Sequence, residues 1–168
     1  MGVYIWTENL EKVFDITSIP TYTNVYESWG TISSIVIEWT YVPWSSQWEQ
    51  FYIRLHTAQS ETNWMYGYVF DYTSSGNKQW KLQYVVNNAW ADQHTSSTGV
   101  VTSSNTYKIT IWKTSWQIVF NGTTTNITYN STEISAVNTI FSSWNPYLYV
   151  AALWTPSSWT AKATVTYE

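Results

Sequence analysis

The chain is expected to be all-β, a two-sheet antiparallel sandwich of about 10–13 strands with at most one short helix near residues 131–140. Three observations support this. Runs of β-branched and aromatic residues alternate with polar ones at period two along almost the whole chain, the pattern of a strand with one wet face. Turn chemistry recurs between those runs, in Ser74-Ser-Gly-Asn, Ser96-Ser-Thr-Gly and Asn121-Gly, where positive φ or side-chain capping is needed. Helical spacing is nearly absent.

Taken in order, the strands expected are Lys12–Ile16, Ile32–Val42, Glu49–Thr57, Trp64–Tyr72, Gln79–Val86, Thr106–Trp112, Trp116–Asn121, Tyr147–Trp154 and Thr160–Tyr167. Shorter ones are expected at Val3–Trp6, Tyr22–Tyr26 and Asn126–Tyr129. In the fifth run Trp80, Leu82, Tyr84 and Val86 share one face, and Gln79, Lys81 and Gln83 the other. Phe51, Ile53 and Leu55 alternate likewise with Tyr52, Arg54 and His56, and Tyr107, Ile109 and Ile111 with Lys108 and Thr110. Residues 87–105 read as a polar loop. Ile134, Val137 and Ile140 recur every three residues, which predicts a crossing turn or two over Ser131–Ile140. The four prolines, at 20, 43, 146 and 156, fall outside strand interiors, where a missing N–H would break a ladder.

With 168 residues the chain is expected to be a single domain over 1–168, with 1–31 an N-terminal arm or edge-strand segment. A formal charge of −4 with seven scattered Lys and Arg gives no basic stripe for a phosphate backbone, so nucleic acid is not an expected partner. No window approaches a membrane-spanning apolar length, so no membrane insertion is expected. The first residues lack a secretory-signal pattern, and Trp6 stands where a myristoylation motif wants Ser or Thr. Zero Cys removes disulfides, thiolate metal sites and a thiol nucleophile. Three sequons cluster at Asn121, Asn126 and Asn130, candidate glycosylation sites that fit an extracellular, cell-surface or virion-surface location.

Within that frame the outstanding feature is 13 Trp and 14 Tyr among Thr, Ser and Asn. Each aromatic buries about 150–250 Å² and Trp and Tyr also need a polar partner, so one small core cannot absorb them all. Some should lie on the surface. If the strands from Ile32 run as a meander, loops near 58–64, 87–99 and 121–125 share one rim and gather Glu61, Asn63, Trp64, Trp90, Asp92, His94 and Asn121. Flat indoles beside amides and carboxylates suit a pyranose, whose C–H face stacks while its hydroxyls take hydrogen bonds. The opposite rim would carry Trp44, Trp48 and Trp116. The alternative is that these Trp plug the open ends of the sandwich.

Catalytic constellations are weak. Glycoside hydrolysis needs two carboxylates about 5–9.5 Å apart, and only Glu38 and Asp71 are acids within strands on candidate inward or concave faces; each also reads as a solvated strand-face acid or a partner for Arg54. With His56 and His94 the only bases and no G-x-S-x-G, there is no nucleophile elbow. Asp92-Gln-His94 with Asn87 or Asn88 has metal-ligand spacing, but one such pair is a weak signal and the segment reads more readily as a polar loop, so no metal or cofactor is expected.

The pair Tyr107-Lys-Ile-Thr-Ile-Trp and Trp116-Gln-Ile-Val-Phe-Asn-Gly, with Ile35-Val-Ile-Glu-Trp-Thr-Tyr, Phe51-Tyr-Ile-Arg-Leu, Tyr147-Leu-Tyr-Val-Ala-Ala-Leu-Trp and Ala163-Thr-Val-Thr-Tyr, resembles the concanavalin A-like (laminin G, lectin and glucanase) jelly-roll superfamily over roughly residues 30–168. The resemblance implies a jelly roll that binds glycans or proteins, with bound calcium in some members and hydrolase activity in others. The chain departs from the hydrolases in lacking an E-x-D-x-E run, and from the calcium lectins in that only Asn87, Asn88 and Asp92 are near one another. The function expected is therefore non-enzymatic: a surface-exposed, lectin-like sandwich within a cell-surface or virion assembly. The alternative is a structural fibre or coat subunit that binds its own copies through aromatic surfaces, or by strand exchange of Val3-Tyr-Ile-Trp or Val13-Phe-Asp-Ile.

Overall fold

The computed structural model describes residues 2, 10–42, 49–57, 64–72, 77–86, 89–100, 105–153 and 158–168, with backbone alone for 49–52, 64–72, 77–86, 89–100, 105 and 153. The strands are β1 (Leu10–Ile16), β2 (Thr21–Asn24), β3 (Ile32–Val42), β4 (Glu49–His56), β5 (Trp64–Tyr72), β6 (Asn77–Val86) and β7 (Ala89–Val100). They continue with β8 (Asn105–Trp112), β9 (Ser115–Phe120), β10 (Thr123–Thr128), β11 (Tyr147–Leu153) and β12 (Ser158–Tyr167), and α1 (Ser131–Phe141) precedes β11. Two six-stranded sheets result, sheet A in the order β1-β12-β3-β8-β9-β10 and sheet B in the order β2-β11-β4-β5-β6-β7. All pairings are antiparallel.

Period-two alternation fills the space between the sheets. Sheet A contributes Ile35, Ile37, Trp39, Ile109, Trp116, Ile118 and Val165, and sheet B Ile53, Leu55, Leu148 and Val150, all buried. Aromatic packing closes one end of this core: Trp39 meets Tyr107 edge-on with centroids 4.6 Å apart, and Phe120 stacks on Tyr107 at 6.3 Å. Burial pushes the Tyr107 and Tyr129 hydroxyls well above the usual phenol range, with Tyr41 and Glu133 respectively adding to the effect.

The helix spans 11 residues, Ser131–Phe141, one residue beyond the expected Ser131–Ile140. It starts at the expected Ser131, where a capping box holds the first turn: the Asn130 side chain accepts from Glu133 N–H at 2.8 Å, and Asn130 N–H donates back to the Glu133 carboxylate at 3.4 Å. Val137, Ile140 and Phe141 then face the core.

Two expectations are corrected. Residues 89–100 form a strand, β7, paired with β6, where a loop was expected. That strand's sequence, Ala-Trp-Ala-Asp-Gln-His-Thr-Ser-Ser-Thr-Gly-Val, lacks an apolar alternation because it lies at an edge and pairs on one side only. The added strand reverses the direction of everything after it. Strands therefore meet at two ends: a helix end, where His56 pairs with Trp64, Val86 with Ala89 and α1 leads into Tyr147, and a turn end, where Thr106, Asn121 and Ser158 lie. Trp116, expected on a rim, is in the core at 1% exposure.

Within the 1–31 segment, Val13–Ile16 pairs with β12 of its own domain, and Thr21–Asn24 pairs with β11. These are in-chain edge strands. Val3–Trp6, and Trp44 and Trp48, lie outside the described residues.

Candidate functional site

The outer face of sheet B gathers a cluster of rings from β2, β4 and β11. Leu148 opposes Leu55 and Val150 opposes Ile53 in the core, so alternation turns Tyr147, Tyr149, Arg54 and His56 to the other side. Tyr22 on β2 opposes Tyr149, which opposes Arg54; Asn24 opposes Tyr147, which opposes His56. The rings touch. Tyr22 lies 4.4 Å from Tyr149, 5.8 Å from His56 and 6.5 Å from Tyr147, centroid to centroid, and His56 lies 6.4 Å from Tyr149. The Arg54 guanidinium stands 5.4 Å over the Tyr149 ring, a cation–π contact that fixes its planar fork.

Burial sets this cluster apart from an ordinary solvated strand face. His56 is fully buried, yet Tyr22 remains 40% exposed. A desolvated base of rings with one exposed aromatic and one cation can stack an apolar ligand surface and donate hydrogen bonds beside it.

The pairing register extends this pattern. The row Tyr22–Tyr149–Arg54 continues to Tyr66, Gln83 and Gln93, and the row Asn24–Tyr147–His56 continues to Trp64, Val85 and Trp90. Trp64 and Trp90, both expected in the site, thus share a row with one strand between them, about 10 Å apart. Asp92 falls at the register shift between Ala91 and Gln93. His94 opposes Leu82 in the row of Ile53 and Val150, not in the row of Trp64 and Trp90. Glu61 and Asn63 lie outside the described residues.

Asn121 does not join the rim. It occupies the two-residue turn between β9 and β10 with φ 43°, and its side chain accepts from Thr106 N–H at 2.8 Å, at the turn end of sheet A. The strand unrecognised at 89–100 carries the reason, since one more crossing sends residue 121 to the opposite end. Arg54, His56, Tyr22, Tyr147 and Tyr149 are the residues that sequence reasoning left out. Their signal was the polar half of the β4 alternation, which reads as merely wet until the neighbouring strand supplies rings.

The opposite face is of another kind. On the outer side of sheet A, Asp15, Lys162, Glu38 and Lys108 form one register row of alternating sign beside Thr160, Thr40 and Thr106, bordering a groove of about 530 Å³. Glu38 pairs with Lys162 at 3.3 Å, not with Arg54. Asp71 belongs to β5 of sheet B, whereas Glu38 alternates with buried Ile37 and Trp39 and so faces away from sheet B. The two carboxylates do not meet across a groove. Among the described residues no three His, Asp or Glu converge as a metal site; Asn87 and Asn88 lie outside them.

No protein-family model and no curated protein matches the chain. Solved structures do. Sheep galectin-11 in complex with glycerol aligns with a TM-score of 0.57 at 11% identity, over 84% of this chain and 96% of that one. A toad ovary galectin in complex with thio-digalactose gives 0.50 at 11%, over 83% and 97%, and lactose- and MES-liganded congerin II gives 0.50 at 14%, over 92% and 99%. At such identities the likeness is one of fold. The chain shares the two-sheet antiparallel jelly-roll fold of these solved galectins, the fold that the strand pattern implied.

Proposed function

We propose that this protein is a non-enzymatic glycan-binding module whose ligand seat is the outer face of sheet B. The observation that carries the reading is the cluster of Tyr22, Tyr149, Arg54 and His56. A pyranose offers an apolar C–H face and a rim of hydroxyls. The Tyr22 and Tyr149 rings match the first, and the donors of Arg54, held over a ring, match the second. Trp64 and Trp90 extend the seat along β5 and β7, with Asp92, Glu61 and Asn63 as further contacts from the sequence reading. Thio-digalactose and lactose in the solved relatives support a β-galactoside as the first ligand to try.

A glycan ligand and the sequons at Asn121, Asn126 and Asn130, all three exposed, fit a place on the outside of a cell or virion. The reading as a coat or fibre subunit built by N-terminal strand exchange has less support, because Val13–Ile16 pairs within its own sheet. A glycan array followed by titration calorimetry tests the proposal. Arg54→Ala and Tyr149→Ala should each weaken the best array ligand at least tenfold, while Glu38→Gln leaves it unchanged. Loss of binding through Glu38→Gln, or no binder on the array, would sink it.

A further inference from the structure

The four sheet edges differ in how well they are protected. β1 carries Glu11, Lys12 and Asp15 among seven residues, β2 is four residues long and follows Pro20, and the β6–β7 pairing contains two register shifts. Charges, brevity and irregularity are the devices that keep an edge from pairing with another chain. β10, Thr-Thr-Thr-Asn-Ile-Thr, has none of them: no charge, no proline and an unbroken register with β9.

The hydrogen-bonding parity of that edge follows from its turn. Phe120 opposes Thr123 across Asn121–Gly122, whose φ values are 43° and 86°, and a two-residue turn of this kind joins its flanking residues by backbone bonds. Asn121 N–H bonds to Thr106 O on β8 at 2.9 Å, which requires Phe120 to face β10. Thr123, Thr125 and Ile127 therefore spend their N–H and C=O groups on β9. Thr124, Asn126 and Thr128, all exposed, aim theirs at the outer edge, along which no described strand pairs.

We propose that β10 pairs antiparallel with β10 of a second copy about a two-fold axis at Asn126. In this register Thr124 opposes the second copy's Thr128 and Asn126 opposes itself. Side chains stay on matching faces, as a continuous sheet requires, and an isologous contact closes as a dimer. Three opposed pairs at two bonds each give six backbone hydrogen bonds; a shift by two residues leaves four. At one bond per 100–200 Å², six correspond to roughly 600–1,200 Å² of interface, the low end of specific association, so the dimer is weak and concentration-dependent. Pairing joins two copies of sheet A into one sheet and sets both copies of sheet B on the same side of it. The inference does not depend on what sheet B binds.

Sedimentation velocity on the full, unglycosylated chain from about 10 µM to 1 mM tests this. The wild type should move from 19.6 kDa toward twice that mass as concentration rises. Asn126→Lys, which sets two cations on the axis, and Asn126→Pro, which deletes an N–H that serves only the outer edge, should stay at the monomer mass with unchanged thermal melts. Val13→Lys, on the β1 edge, should dimerise like the wild type. A wild type that remains monomeric at 1 mM, Asn126→Lys self-associating like the wild type, or Val13→Lys abolishing the dimer would each overturn the proposal.

Discussion

The outer faces of the two sheets arise from the same alternation and the same core, yet one carries a row of charges and the other a cluster of rings. On sheet A, Glu38 and Lys162 keep 41% and 51% of their side chains in solvent, and their attraction is correspondingly small. On sheet B the equivalent outward position, His56, is sealed beneath tyrosine rings. A strand face becomes a binding surface when neighbouring strands bring groups that exclude water from one another; ion pairs alone leave it wet. Sheet A leaves its outward ion pair in solvent, and sheet B buries an outward histidine among rings.

The comparison is broken most severely through the core both faces share. Ile37→Ala under sheet A and Leu148→Ala under sheet B, both fully buried, should each cost about 2–5 kcal/mol in denaturant unfolding. Selective damage is expected one level up. Tyr149→Ala should lower glycan affinity at least tenfold, about 1.4 kcal/mol or more, because it removes the ring beneath Arg54; calorimetry reads this against an unfolding curve shifted much less than that of Leu148→Ala.

A third test concerns the clasp between the sheets. Tyr167, on β12, donates its hydroxyl to Val25 O just beyond β2 at 2.8 Å, and burial, with Glu27 nearby, pushes that phenol up to about 12. A phenol whose folded value is raised contributes stability that is whole below pH 10 and is lost as pH rises through 12. Tyr167→Phe should flatten the stability profile across that window. The smallest effect belongs to the charge row: Glu38→Gln should change stability by no more than about 0.5 kcal/mol and leave ligand binding intact.

The two faces also differ in how far the sequence revealed them. Ile32–Val42 and Trp64–Tyr72 were legible to the residue; in the first, one buried face imposes a strict period on the side chains. β7 was not, since an edge strand is held by backbone bonds along one side and its residues need not alternate. That omission moved Asn121 from the helix end to the turn end, a parity effect that no local reading of residues 121–125 could reveal. Trp64 and Trp90 were named and do share a row, whereas Arg54 and His56 read as the wet side of β4, an ion-pair partner and a lone base, and not as part of the seat. Their role depends on Tyr22 and Tyr149, which come from residues far away in sequence, and cross-strand neighbours of that kind leave no trace in periodicity.

The helix cap bears on how the sequons are to be dissected genetically. Replacing Asn130 by Gln, the usual knockout, removes the side chain that closes the capping box with Glu133, so it uncaps α1 at a typical cost of about 1 kcal/mol whether or not a sugar is attached. Asn121→Gln is compromised in the same way, because that residue holds a positive φ and the bond to Thr106. Thr132→Ala and Thr123→Ala erase the same two acceptor signals from positions that are exposed and outside both motifs, and so separate loss of carbohydrate from loss of structure.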